Sequence, residues 1–299
     1  MAALVAGVTA SAQSSIQFFT VQKIQGFTQT GAGGANVSAN AYNPGTDTYP
    51  WRFAANIQGT SLDNTHPAPP NHVVSAAGSA VTAFDLSFAP VFGWEYRPGY
   101  SSRAAMDADY NNGSYTVTLA NGGATPFALN LAGTIYPNNP VAALTGGSWA
   151  GGVYVLNPAN AWTISTGTFA TGFGWDVSRV ELAIAGPGVD FQQNIGVGTA
   201  SPFVLTDTSA SLSLASGDVG APTFLAGETY SVSIRFLTGS DFQDIGLALG
   251  QTAGSAYAAA IYDSYLSLTI QAVPEPATTG ALAGLLALGL AAWRRRRLA

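Results

Sequence analysis

A chain of 299 residues has room for one large or two smaller domains, and only 9% of it is charged, against a globular norm of about 25%. Its 47% apolar content, with aromatics along the whole length, excludes the disorder that follows from low hydrophobicity. The formal net charge is −6. Outside a C-terminal run of four arginines, six cations face sixteen acids, a balance of −10 that argues against nucleic acid and anionic polymers as partners. The absence of cysteine rules out disulfides, thiolate metal sites and a cysteine nucleophile.

At the N-terminal end, Ala2 to Ala10 is a short apolar stretch and Ala10-Ser11-Ala12 fits the small-x-small cleavage pattern. Residues 1–12 are therefore expected to be a signal peptide cut between Ala12 and Gln13. No lysine or arginine precedes them, so the basic n-region of such a signal is expected further upstream. Residues 13–62 contain few clean strand patterns and are expected to supply outer strands. Asp63 to His72 is a polar, proline-rich loop, the best candidate for an exposed connection.

From there to Val273, short runs alternate with period two between Gly, Pro, Asn and Asp, the pattern of half-buried strands. Phe84-Asp85-Leu86-Ser87-Phe88 is one. Tyr115-Thr116-Val117-Thr118-Leu119 is another, launched by the turn dipeptide Asn112-Gly113. Phe127, Leu129 and Leu131 share a face, as do Trp162 and Ile164, then Val180, Leu182 and Ile184. Tyr230, Val232, Ile234 and Phe236 alternate with Ser231, Ser233 and Arg235, and Leu266, Leu268 and Ile270 form the last such face. The expected fold is all-β, an antiparallel β-sandwich over residues 13–272. The helical crossovers of a doubly wound fold are missing.

The chemistry-bearing residues are sparse. Asp107-x-Asp109-x-Asn111-Asn112-Gly113 alternates hard oxygens as a calcium loop does, but its glycine is one place late and position twelve is Thr118, not a glutamate. An Asx-rich turn is the expectation, leaving room for a weak Ca²⁺ site and no other cofactor. His66 and His72 are the only histidines, and no acid or cysteine beside them completes a zinc set. Glu95 and Glu181 are the glutamates that could serve as paired carboxyls in a glycoside hydrolase. No Gly-x-Ser-x-Gly elbow marks a serine nucleophile. Trp94, Tyr96, Tyr100 and Tyr110 cluster in a Gly- and Pro-punctuated segment. Exposed, they would stack on sugar rings; buried, they would fill a sandwich core.

The tail is the most readable part. Pro274-Glu275-Pro276 precedes an uncharged run from Ala277 to Trp293, followed by Arg294, Arg295, Arg296 and Arg297. As a helix the run would span roughly 25 Å, just enough for a thin hydrocarbon core. The arginines would stay cytoplasmic and fix the orientation. This arrangement resembles the PEP-CTERM sorting signal of Gram-negative bacteria. The resemblance implies that Pro274, Glu275 and Pro276 are recognised and processed by an exosortase, a membrane-embedded transpeptidase-like enzyme. Tyr136-Pro137-Asn138-Asn139-Pro140, with Leu144 to Gly152 and Asn157-Pro158, is similar to a β-rich module of exported PEP-CTERM proteins.

The resulting expectation is a signal peptide (1–12), a β-sandwich ectodomain (13–272) and a sorting signal with one transmembrane helix (273–299). Such a protein would be held transiently in the inner membrane with its ectodomain in the periplasm, then moved to the cell surface or beyond. It would be non-enzymatic and associated with exopolysaccharide. A carbohydrate-binding module and a secreted glycoside hydrolase are the alternatives.

Overall fold

The computed structural model describes residues 16–41, 48–59, 72–89, 93–119, 126–133, 136–170, 178–195 and 209–274. Strands β1 (Ile16–Gln29), β2 (Val37–Ala39) and β3 (Trp51–Gly59) come first. Short strands follow: β4 (His72–Val74), β5 (Ala83–Asp85), β6 (Ser87–Ala89), β7 (Gly93–Tyr96) and β8 (Gly99–Tyr100). A short helix, α1 (Arg103–Asp109), leads to the pair β9 (Gly113–Thr118) and β10 (Phe127–Leu131). The middle of the chain forms β11 (Ala143–Thr145), β12 (Gly147–Ala150), β13 (Val153–Leu156), β14 (Thr163–Ser165) and β15 (Phe169–Ala170). Then come β16 (Ser178–Gly186), β17 (Val189–Ile195), β18 (Ser209–Ala210), β19 (Ser213–Ala215) and two long closing strands, β20 (Thr229–Asp244) and β21 (Tyr257–Ala272).

The chain is mostly β-sheet, as its alternation predicts. One twelve-stranded sheet runs in the order β17-β16-β20-β21-β1-β3-β7-β6, with β2, β8, β12 and β13 joined to its sides. Side chains alternate across a strand, so the even positions of β21, from Ala258 through Tyr262 to Ile270, share one face. Two hydrophobic clusters cover that face end to end. The first gathers Phe19, Phe53 and Tyr262 beneath the small sheet β10-β9-β4-β5, with Tyr115, Val117, Leu129 and Leu131 pointing down onto them. The second gathers Val180, Leu182, Val232, Ile234, Leu266 and Leu268 beneath β11-β14-β19, with Trp162, Ile164 and Leu214 above.

Three expectations are corrected. Residues 13–62 supply more than outer strands: β2 lies at the side of the sheet, but β1 lies in its middle, between β21 and β3. The pairing is not wholly antiparallel, because β1 runs parallel to β21 from Phe18↔Tyr257 to Thr28↔Ser267, and β13 runs parallel to the end of β21. A parallel pair needs a long crossover, and here nearly the whole chain is that crossover. The acidic segment is not a turn throughout. Residues 103–109 form a helix, because Ser102 caps its first turn by accepting from the Ala105 N–H at 3.2 Å.

Local rules explain the rest. Gly151 and Gly152, at φ 59° and 85°, make the two-residue turn between β12 and β13, a mirror-type turn that needs positive φ at both places. Phe84 and Leu86, expected in one strand, belong to a segment that leaves the small sheet after Asp85 and enters the large one at Ser87.

Candidate functional site

Strand β21 delivers the C-terminal segment. Its last residues are held on both sides: the Ala272 N–H donates to the Glu228 carbonyl at 2.9 Å, and the Gly227 N–H donates to the Ala272 carbonyl at 2.7 Å. On the other flank the Val273 N–H donates to the Leu156 carbonyl at 2.8 Å. Pro274 comes next. It has no N–H with which to extend the ladder, and it is exposed. The backbone is thus fixed up to the first residue of the Pro-Glu-Pro motif. Glu275, Pro276, the run Ala277 to Trp293 and Arg294 to Arg297 lie outside the described residues, as do Ala12, Gln13 and His66. Among the described residues no helix is long and apolar enough to cross a membrane.

The opposite face of the large sheet carries a groove of about 520 Å³. Ala183 and Ala185 of β16, Ser231 and Ser233 of β20 and Ser267 and Thr269 of β21 are all small, which leaves a trough across three neighbouring strands. Thr28 and Asn40 close one side, and Tyr265 stands in the groove with its hydroxyl pKa raised by burial. Beside it lies an ion network. Arg235 donates to Asp263 Oδ2 from Nη2 at 2.6 Å and from Nε at 3.2 Å, and its Nη1 lies 3.9 Å from Glu181 Oε2. Arg179 pairs with the same Glu181 oxygen, and Gln192 donates to Oε1 at 2.9 Å. Asp263 is fully buried, and that burial raises its pKa against the opposing pull of Arg235. Both carboxyls therefore face guanidinium groups. The groove itself offers hydroxyls, one amide and one phenol ring.

The structure separates the nominated residues. Glu95 lies on β7 and Glu181 on β16, five strand steps apart, or roughly 24 Å at about 4.8 Å per step. Paired carboxyls that flank a glycosidic bond stand roughly 5–10 Å apart, so these two form no pair. Glu95 instead accepts from Arg97 at 3.2 Å. The aromatic cluster is internal packing. Tyr110 is buried and stacks on Phe53 at 4.0 Å and 8°, Tyr96 stacks on Phe84 at 4.4 Å, and Trp94 is buried. Tyr96 and Tyr100 are half-buried and packed against the same core cluster. His72 sits opposite Asp85, with Nδ1 at 3.1 Å from its carboxylate, on an exposed strand pair.

The oxygens of the calcium-like segment face a cation that belongs to the protein. Lys23 Nζ donates to Asp107 Oδ1 at 2.7 Å and to Asn112 Oδ1 at 2.9 Å, while Arg103 Nε donates to Asp107 Oδ2 at 3.2 Å. Asp109 accepts from the Tyr100 hydroxyl at 2.8 Å. Among the described residues no group of three His, Cys, Asp or Glu is arranged to hold a metal ion. Sequence reasoning passed over Lys23, Asp263 and Tyr265. A lysine inside a strand and an aspartate just before a hydrophobic face were the available signals.

Comparison with known families places the sorting signal. Residues 272–297 match the family model described as the PEP-CTERM protein-sorting motif. The match lies at the C-terminus and supports an exported protein recognised by an exosortase. No curated protein matches the chain.

Proposed function

We propose that this protein is a non-enzymatic component of the cell surface or extracellular matrix, carried there by exosortase processing at Pro274-Glu275-Pro276. The observation that carries the reading is the 272–297 match, which begins on the last residue of β21. A processing enzyme needs an extended, accessible segment at a set height above the membrane. A clamped strand ending in proline supplies that better than a loose linker. The run Ala277 to Trp293 holds the chain in the inner membrane until processing, and Arg294 to Arg297 stop translocation. Mass spectrometry of the C-terminus, on protein from its native host with and without the exosortase gene, tests this. A tail removed near the motif only when the gene is present is the expected result. An intact Arg294–Arg297 end in both strains refutes it.

The partner at the destination is a neutral polysaccharide of the matrix, bound along the hydroxyl-lined groove. Small polar side chains with one aromatic ring suit a chain of sugar hydroxyls, whereas an anionic polymer would meet a protein with net negative charge. Replacing Ser233 by a bulky Leu fills the trough and abolishes co-sedimentation with the host exopolysaccharide. Unchanged co-sedimentation, with folding verified by circular dichroism, removes the groove from the reading.

A further inference from the structure

Lys23 is the only lysine in the chain, and it is wholly buried. Lysine is among the residues least often found inside a protein, because its ammonium is costly to take out of water. Here it stands on the central strand β1, pointing into the first hydrophobic cluster. Its nitrogen has an acid on one side and a primary amide on the other, Asp107 Oδ1 at 2.7 Å and Asn112 Oδ1 at 2.9 Å. The Tyr262 hydroxyl lies 2.8 Å from that same amide oxygen and also contacts the Gly133 carbonyl. Tyr115 and Phe53, both fully buried, belong to the cluster that shields Lys23, while Asp107, which also accepts from Arg103, is 32% exposed and can pass protons and ammonia outward.

We propose that Lys23 Nζ and Asn112 Cγ join in an intramolecular isopeptide bond, with Asp107 carrying the protons. The arrangement holds the three parts of an amide transfer: a nucleophile, a base within hydrogen-bond reach of it, and a donor on the oxygen where charge develops. Burial favours the neutral amine, consistent with a Lys23 pKa lowered first by desolvation and only partly restored by Asp107.

The step balances without any co-reactant. Lys23 passes one proton to Asp107 and adds its lone pair to Cγ of Asn112. The charge that develops on Oδ1 draws the shared Tyr262 proton away from the Gly133 carbonyl. Collapse of the adduct breaks the Cγ–Nδ2 bond. The two protons lost by the lysine nitrogen leave with Nδ2 as ammonium, and Asp107 returns to its carboxylate. Charge is conserved, and the product ties β1 of the large sheet to the turn that opens β9 of the sheet above it. In a chain without cysteine this cross-link does the work of a disulfide, and it resists reductants.

The intact mass of the purified full chain decides the matter. The expected mass is lower than that of its processed sequence by one ammonia, both before and after denaturation. Proteolysis should yield one branched peptide containing both Lys23 and Asn112. An amine-acylating reagent applied in denaturant should leave Lys23 unmodified, while Asp107→Asn should restore the full mass and a reactive Lys23. Full mass in the wild type with acylated Lys23 overturns the proposal. Loss of water instead of ammonia overturns Asn112 as the partner. Ammonia loss that persists in Lys23→Met assigns it to a succinimide at Asn112-Gly113 and also overturns the bond. The wild-type mass and peptide map stand without the variants, so a variant that misfolds leaves the test intact.

Discussion

Replacing Arg235 by Met removes the guanidinium that compensates a carboxylate with no exposure to solvent. Arg235 makes two hydrogen bonds to Asp263 Oδ2, at 2.6 and 3.2 Å, and is itself 23% exposed, whereas Asp263 is 0% exposed. Breaking one partner of a buried pair costs about 3–5 kcal/mol, and the partial exposure of the arginine sets the expectation near about 3 kcal/mol at pH 7. Glu181 keeps Arg179 and Gln192, so it adds little to the loss. The sign of the pH dependence follows from Asp263. Its folded pKa already lies above the ordinary 3.8 because of burial, and losing Arg235 raises it further. Between 3.8 and that raised value the native state binds more protons than the unfolded state, so stability falls as pH rises. Urea denaturation followed by tryptophan fluorescence should therefore show a variant more destabilised at pH 7 than at pH 5. The double variant Arg235→Met/Asp263→Asn should recover most of the loss. A single-variant cost under about 1 kcal/mol, or one equal at the two pH values, would refute the claim that Asp263 is a buried, compensated charge.

Further expectations concern packing, backbone and protons. Phe53→Ala removes a fully buried ring stacked on Tyr110 and edge-on to Phe84 at 5.5 Å; the midpoint shift in urea should correspond to about 3–5 kcal/mol. Gly146→Ala places a Cβ 2.4 Å from the Ala161 carbonyl oxygen at φ +84°, for about 2–4 kcal/mol. Gly151→Ala at φ +59° meets nothing within 4 Å and should cost only about 1–2 kcal/mol, so equal losses would contradict the steric argument. Burial raises the hydroxyl pKa of Tyr110, Tyr115 and Tyr262 above 10.0. The unfolded state then sheds those protons first, and stability is lost as pH rises past about 10; a flat alkaline melting profile would count against their burial. The melting temperature should not respond to millimolar Ca²⁺ or to EDTA, because Asp107 and Asn112 already face Lys23.

The strands legible in the sequence are those with one wet face. Tyr230 to Phe236 and Val180 to Ile184 alternate because serines and charged groups separate their core residues. Strand β1 hid for the opposite reason. It is buried along most of its length, and Lys23 and Gln25 interrupt its inward apolar positions, so neither a period of two nor a continuous apolar run appears. Helix α1 has seven residues, too few to show a helical period, although Ser102 three residues ahead of Ala105 was readable as a cap. The sorting signal was plain because it is a local string of residues. The groove could not be seen, since Ala183, Ser233 and Ser267 meet only through a register spanning three strands. The same holds for Lys23 and Asn112, which are 89 positions apart.

The parallel pairing of β1 with β21 also governs when folding can finish. Gln25 and Ser264 touch across 239 residues of chain, so the middle of the large sheet is among the last contacts that synthesis permits. Non-local pairing of this kind folds slowly, because loop-closure entropy comes before any reward. A chain emerging from its N-terminal end therefore stays open, and fit for threading, until Tyr257 to Ala272 arrive. Those residues lie just ahead of Pro274. The strand that completes the sheet and the matched sorting motif are thus synthesised one directly after the other.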